Sequence, residues 1–334
     1  MNKKSKILIL GDGRIGCALR HFFRLSPWVA GADFARSDRD AKTCDLLIGA
    51  LPGELGGKGL ALALKYRKNL LDVSDIDPPF YLAKKAEIAK KGITVIPGCG
   101  FSPGVVNFIL GHELIDASSI KNIEVKAGSL CKKKFFFPFL WCFEDLALEH
   151  SIPSWQVCSG KKLKFPPFAA YAPERFAGIA AESYFCASGF ENVMQGAGIR
   201  NFTCRVVRPK GFMDFFLFLK NHGFLKRPAV QFTKKTLESS IPDNITLAEI
   251  TIERKRGKTV WNLKAFSRKG EERNSMQKIT ASVPVVMARL IAEGALRQQG
   301  LFFMHELGRD PRVVHGLLAG LRAQGILCNR RHVT

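Results

Sequence analysis

The hydrophobic positions near the start of the chain run without a break from Ile7 to Leu10, and then the period changes. Gly11, Gly13 and Gly16 punctuate the next six residues, after which Cys17 to Phe23 carry apolar side chains at helical spacing. An unbroken apolar run reads as a strand covered on both faces, and a period near 3.6 as an amphipathic helix. The same alternation recurs. Trp28 to Phe34 predicts a second strand and Asp45 to Leu51 a third, which ends at Pro52-Gly53 and is followed by a glycine-rich turn and a helix from Leu60 to Tyr66. Asn69 to Ser74 predicts a fourth strand, Phe80 to Lys90 a helix and Ile93 to Ile96 a fifth strand. Strands alternating with helices predict an α/β architecture with a doubly wound parallel sheet, whose ligands lie beyond the carboxyl ends of the strands.

From about residue 118 the pattern becomes strand-like stretches (Ile120 to Ala127, Phe202 to Val207, Ile245 to Glu253, Thr259 to Phe266) separated by loops rich in lysine, phenylalanine and proline. This reads as a second, α+β domain. Helical spacing returns from Val283 to Glu293 and from Arg312 to Gln324. The expected organisation is a doubly wound domain over 1–117, an α+β domain over 118–280, and terminal helices over 281–334 that pack back on the first domain.

Composition narrows the classes. The 334 residues suffice for about two cores, and 46% hydrophobic with 24% charged residues marks an ordered globular chain. No apolar run reaches the roughly 18 residues of a membrane span; the closest, Phe212 to Leu219, is interrupted by Asp214. Nine cysteines, odd in number and never spaced C-x-x-C, suggest neither a disulfide framework nor a zinc site. The seven histidines form no H-E-x-x-H pattern, so no metal is expected. These features, with no long apolar leader, point to a soluble protein of the reducing cytoplasm. The formal charge of +22 admits anionic partners, but it is spread over both domains and matches no nucleic-acid reading motif. Lys132 to Lys134 beside Phe135 to Phe137 resemble a base-stacking patch only in composition; core or dimer contact is the plainer role.

The six residues from Gly11 to Gly16 are G-x-G-x-x-G in the context that gives it meaning, after a buried strand and opening a helix. Gly11 permits the tight turn, Gly13 has no Cβ to obstruct a pyrophosphate, and Gly16 lets helix and strand approach. The helix N-terminus at Arg14 and Ile15 offers free N–H groups to the phosphate. Asp33, 20 residues after Gly13, stands where a carboxylate accepts hydrogen bonds from an adenosine ribose and favours NAD. Arg36, Ser37 and Arg39 follow at once and can equally hold the 2′-phosphate of NADP. The cofactor is therefore expected to be NAD or NADP, with Ala50, Leu51 and Pro52 beside it at the end of the third strand.

In order and spacing, the chain resembles the saccharopine dehydrogenase-like family, which contains saccharopine reductases and lysine 6-dehydrogenases. The residues that carry the resemblance are Gly11 to Gly16, Ala50 to Pro52, Asp72 to Ser74, Gly100 to Asn107, Arg208 to Phe212, and the tail from Ser275 through Leu301 to Ile326. The resemblance implies a Rossmann domain, a second domain with a mixed sheet that forms a homodimer, and oxidation or reduction at an amino-acid carbon bearing nitrogen. It implies that Ser74 and Asp75 lie where substrate meets the nicotinamide and that Arg208 grips a substrate carboxylate. Ser102 stands where saccharopine reductases carry an aspartate; the lysine 6-dehydrogenase branch has a small residue there. Gly211-Phe212 instead resembles the saccharopine reductases. The two markers place the chain in neither branch.

Hydride transfer asks the protein for a carboxylate anchor, a proton carrier and a dry nicotinamide face. Arg208 is the candidate anchor, against the ordinary reading of a surface arginine. Asp75, Asp72 and Cys99 are the candidate proton carriers. Asp72 is equally a turn staple and Cys99 a small buried residue, so Asp75 is favoured. The alternative is a catalytically silent relative that binds a dinucleotide and acts as a regulatory or partner protein.

Overall fold

The structure is a computed structural model, and it describes residues 4–131, 141–187, 189–194, 198–237, 243–268, 270–296 and 298–333. Lys132 to Lys134 and Phe135 to Phe137 lie outside the described residues. The first stretch runs β1 (Ser5–Leu10), α1 (Arg14–Arg24), β2 (Val29–Phe34), β3 (Leu46–Gly49), α2 (Gly53–Tyr66), β4 (Asn69–Asp72), α3 (Pro78–Leu82), α4 (Lys85–Lys91), β5 (Thr94–Ile96) and α5 (Val105–Glu113). Its inner strands β1, β3, β4 and β5 are short and largely buried on both faces, as parallel strands between two helical layers must be, whereas the edge strand β2 buries only Ala32. α1 turns Gly16, Ala18, Leu19 and Phe23 inward, one stripe of its amphipathic pattern.

Helix α2 starts seven residues before the predicted Leu60, at Gly53. The glycines that read as a turn lie inside the helix because of what they face. A Cβ on Gly56 would come within 2.7 Å of the Ser74 Cβ, and one on Gly59 would sit 3.4 Å from the Asp72 carboxylate. The predicted helix from Phe80 to Lys90 is two short helices, α3 and α4, with Gly92 in the left-handed conformation (φ +65°) ending the second.

The middle of the chain forms β6 (Ile120–Cys131), α6 (Phe143–Glu149), β7 (Ser154–Cys158), β8 (Lys161–Phe165), β9 (Ala172–Phe176), β10 (Ile179–Phe185), α7 (Glu191–Met194), β11 (Asn201–Pro209), α8 (Phe212–Asn221), α9 (Ala229–Leu237), β12 (Asn244–Arg254) and β13 (Lys258–Ser267). The tail adds α10 (Ser275–Ala292), β14 (Gly300–Leu301), α11 (Met304–Leu307), α12 (Pro311–Ala323) and β15 (Leu327–Val333). Two compact units result. One comprises Met1–Ile115 with Gln277–Gly325, and the other Asp116–Met276 with Ile326–Thr334. Strand β15 was not anticipated: it is an edge strand with Asn329, Arg330, Arg331 and His332 exposed, so no apolar alternation announces it.

Among the described residues the first unit holds a six-stranded parallel sheet in the order β2-β1-β3-β4-β5-β14. The chain leaves β1 for β2 on one side and returns to β3 on the other. The crevice beyond the carboxyl ends of β1 and β3 is therefore the topological switch point, where open α/β sheets bind ligands. The second unit holds a mixed nine-stranded sheet along β15-β13-β12-β6-β11-β10-β9, with β7 and β8 joined at β11. Only the β6–β11 pair is parallel among its described pairs.

Candidate functional site

The three fingerprint glycines answer to different neighbours. Gly11 has φ +111°, and a Cβ there would overlap the Ala50 carbonyl oxygen at the end of β3. A Cβ on Gly16 would overlap the Gly11 carbonyl oxygen. Gly13 differs: its φ of −68° suits any residue, and a Cβ would meet nothing within 4 Å. The protein itself requires the first and third glycines, whereas the space in front of the second is open. Gly13 is the N-cap of α1 and supplies no side-chain cap, and the first turn holds no acidic residue. The first intrahelical bond is Cys17 N–H to Gly13 oxygen at 2.9 Å, so the N–H groups of Arg14, Ile15 and Gly16 belong to the open end of the helix. The arrangement fits a dinucleotide pyrophosphate, because aligned peptide dipoles and uncapped donors stand beside a position where a Cβ would meet no described atom within 4 Å.

At the end of β2, Asp33 is 70% exposed and paired with Arg24 at 2.6 Å. Arg36 is exposed. The backbone N–H groups of Arg36 and Ser37 donate to the Asp40 carboxylate at 2.8 and 2.9 Å, which holds its pKa below the usual value. The Ser37 hydroxyl also faces Asp40, at 3.2 Å, so this residue serves the turn. Asp33 and Arg36 line one depression of about 640 Å3 with Lys6, Arg20 and Thr43. A carboxylate and a guanidinium stand together there.

At the ends of β3 and β4 a buried carboxyl organises the chain. Leu51 N–H donates to the Ser74 hydroxyl at 3.2 Å, Ser74 N–H to Asp72 Oδ1 at 2.8 Å, and the Tyr81 hydroxyl to Asp72 Oδ2 at 2.8 Å. Asp72 is fully buried, and a Cβ on Gly49 would overlap its carboxyl. Burial raises its pKa against the opposing pull of the Ser74 and Tyr81 donors. The Cys99 N–H donates to the Asp72 carbonyl at 2.9 Å. Its thiol is fully buried, and burial together with Asp72 pushes its pKa well up.

The structure brings Asp72, Ser74 and Cys99 together at the strand ends, all three buried, with the Ser74 hydroxyl accepting from Leu51 N–H. Asp75 is exposed, one residue beyond Ser74. Ser102 is half-buried on the loop before α5. There Gly104 has φ +146° and donates its N–H to Asn107 Oδ1 at 3.0 Å. Tyr81, the second support of Asp72, was missed: an aromatic on a short helix looks like ordinary core, and nothing local reveals a carboxyl nine residues upstream.

Arg208 lies in the other unit and is 2% exposed. Its guanidinium carbon stands 5.4 Å from the Trp141 ring centroid and 5.5 Å from that of Phe212, with Nη2 3.6 Å from Glu149 Oε2. Arg208 is thus an interior arginine and not the surface one of the ordinary reading, and its Nε meets no hydrogen-bond partner among the described residues. The motif around it builds a turn. Gly211 has φ +91°, and the buried Glu182 carboxylate accepts from Gly211 N–H at 2.7 Å and Met213 N–H at 2.6 Å, capping α8.

No family model and no curated protein matches the chain. Solved structures do. Biliverdin reductase from Synechocystis, in complex with biliverdin and NADP+, is 11% identical over 96% of this chain and 98% of that one, with a TM-score of 0.42. Dihydrodipicolinate reductase from Paenisporosarcina, bound to dipicolinate, is 8% identical over 90% and 97%, with a TM-score of 0.43. Apo saccharopine dehydrogenase (L-Glu forming) from Saccharomyces cerevisiae is 14% identical, with a TM-score of 0.78. That alignment covers 99% of this chain and 100% of the yeast protein, so the two share a fold over their whole lengths.

Proposed function

We propose that the protein is an NAD(P)-dependent oxidoreductase acting at the CH–NH group of an amino acid or imine adduct, with a saccharopine- or lysine-like substrate. The observation that carries the cofactor half is the open space at Gly13, in front of an uncapped helix end at the topological switch point. Main chain from Gly11 to Gly16 would hold the pyrophosphate, Asp33 or Arg36 the adenosine ribose, and Ala50 to Pro52 the nicotinamide side. The nicotinamide supplies the hydride chemistry when bound. The chain's own work is to hold that ledge: Asp72 fixes Ser74, and Ser74 fixes Leu51. Asp75, exposed beside them, would exchange a proton with a substrate nitrogen.

The substrate half rests on the motif series and on the fold shared with the yeast enzyme. The burial of Asp72, Cys99 and Arg208 favours a second reading, a dinucleotide-binding protein without turnover. One experiment separates the two. The purified chain is titrated with NADH and NADPH, following nicotinamide fluorescence, and then incubated with NAD or NADP and a panel of amines including lysine and saccharopine. Binding with a rise in reduced-nicotinamide absorbance, reduced in Asp75→Asn, supports the enzyme. Binding without turnover supports the silent relative, and absence of binding removes both.

A further inference from the structure

Behind Arg208 the second unit holds side chains that the dinucleotide reading leaves unused. Glu149 ends α6, His150 follows it, and Cys186 follows β10. A Glu149 carboxylate oxygen, a His150 ring nitrogen and the Cys186 sulfur lie within 4.8 Å of one another. His150 Nδ1 is 2.8 Å from the Leu146 carbonyl oxygen, which can only accept, so Nδ1 carries the hydrogen. Nε2 is then left with an in-plane lone pair. The residue is fully buried, and Nε2 meets no hydrogen-bond partner among the described residues.

The ring is held in place by Phe168, Phe212 and Phe216, with centroids at 5.7, 5.1 and 5.3 Å. An imidazole whose other N–H is tied to a backbone carbonyl is the usual arrangement of a metal-bound histidine.

We infer that Glu149, His150 and Cys186 form a binding site for a zinc-class dication. Cysteine and histidine together select that class over magnesium or calcium. Zinc–ligand distances of about 2.0–2.3 Å place tetrahedral ligands roughly 3.3–3.8 Å apart, so the trio closes by about an ångström on loading. The Cys186 thiol, which donates to the Glu149 carbonyl at 3.1 Å, gives its proton to solvent and its sulfur lone pair to the metal. No electron changes hands. The Glu149 carboxylate has lone pairs for the metal and for Arg208 together, and with the thiolate it offsets the two cationic centres. Its side chain, 21% exposed, marks the side of entry. The metal would tie α6 to β10 inside the second unit.

The test uses the full-length chain freed of metal by a chelator and titrated with Co2+, then displaced by Zn2+. The expected result is one equivalent of cobalt with a thiolate charge-transfer band and the intense visible bands of tetrahedral coordination. Cys186→Ser should abolish the charge-transfer band, His150→Gln should weaken binding at least about tenfold, and Cys17→Ser, at an exposed cysteine, should change neither. Should His150→Gln fail to fold, Cys186→Ser, nearly isosteric and checked by circular dichroism, decides. Absence of the band in the parent chain, or its survival in Cys186→Ser, overturns the site. Either result leaves nicotinamide binding untouched, so this inference fails or stands apart from the proposed function.

Discussion

The turn between β1 and α1 and the ringed interior around Arg208 are both built for a charge, but in opposite ways. The first uses six consecutive residues and almost only main chain, and its defining feature is room: Gly13 faces open space while Gly11 and Gly16 are pressed against backbone. The second draws Trp141 and Glu149 from one stretch and Arg208 and Phe212 from another, uses side chains throughout, and is filled. A site made of backbone in a short stretch announces itself in sequence. A site assembled from the side chains of two distant stretches does not.

The largest expected effect tests the filled region. Arg208→Ala should cost about 3 kcal/mol in urea denaturation, because it strips a buried ion pair and the packing between two rings; a loss under about 1 kcal/mol would place the guanidinium outside the interior. In the open region, Gly16→Ala should cost about 1–3 kcal/mol, since its methyl must displace the Gly11 carbonyl.

A smaller effect concerns Asp72. Its folded pKa is raised by burial, so the folded state holds that proton more tightly than the unfolded chain does. The stability it contributes is complete below the ordinary carboxylate value of about 4 and is lost as pH rises through the raised one. Relative to Asp72→Asn, the parent protein should therefore lose stability with rising pH; parallel curves would contradict a buried carboxyl. The smallest stability change, within about 0.5 kcal/mol, is expected for Asp33→Ser, whose ion pair with Arg24 is solvent-exposed. Its value lies in sharpening the cofactor choice: NADH affinity should fall and NADPH affinity hold or rise, and equal loss of both would remove Asp33 from the ribose.

Much of the first unit was legible because parallel strands buried on both faces leave unbroken apolar runs, as from Ile7 to Leu10. Its helix α2 was shortened in the reading because Gly56 and Gly59 look like turn residues until the Ser74 and Asp72 side chains they face are known. In the second unit, β15 carries an edge strand's charges, and the residues it pairs with on β13 lie more than sixty positions earlier, as Lys264 does from Leu327. On the site, the glycine spacing is local and reads directly from the chain. Asp72, Cys99 and Arg208 are chemistry-bearing residues at suggestive places, and their burial is encoded by no spacing.

The central claim is that the space in front of Gly13 belongs to a ligand and not to the fold. Gly13→Asp tests it directly, with thermal stability and NADH and NADPH affinity measured on the same preparation. Aspartate is a good N-cap in this extended conformation, so stability should hold or rise by up to about 1 kcal/mol. Its carboxylate would occupy the pyrophosphate's place, and affinity for both cofactors should fall by about 100-fold or more, equivalent to roughly 2.7 kcal/mol. Unchanged cofactor affinity, or a destabilisation as large as that of Gly16→Ala, would contradict the account.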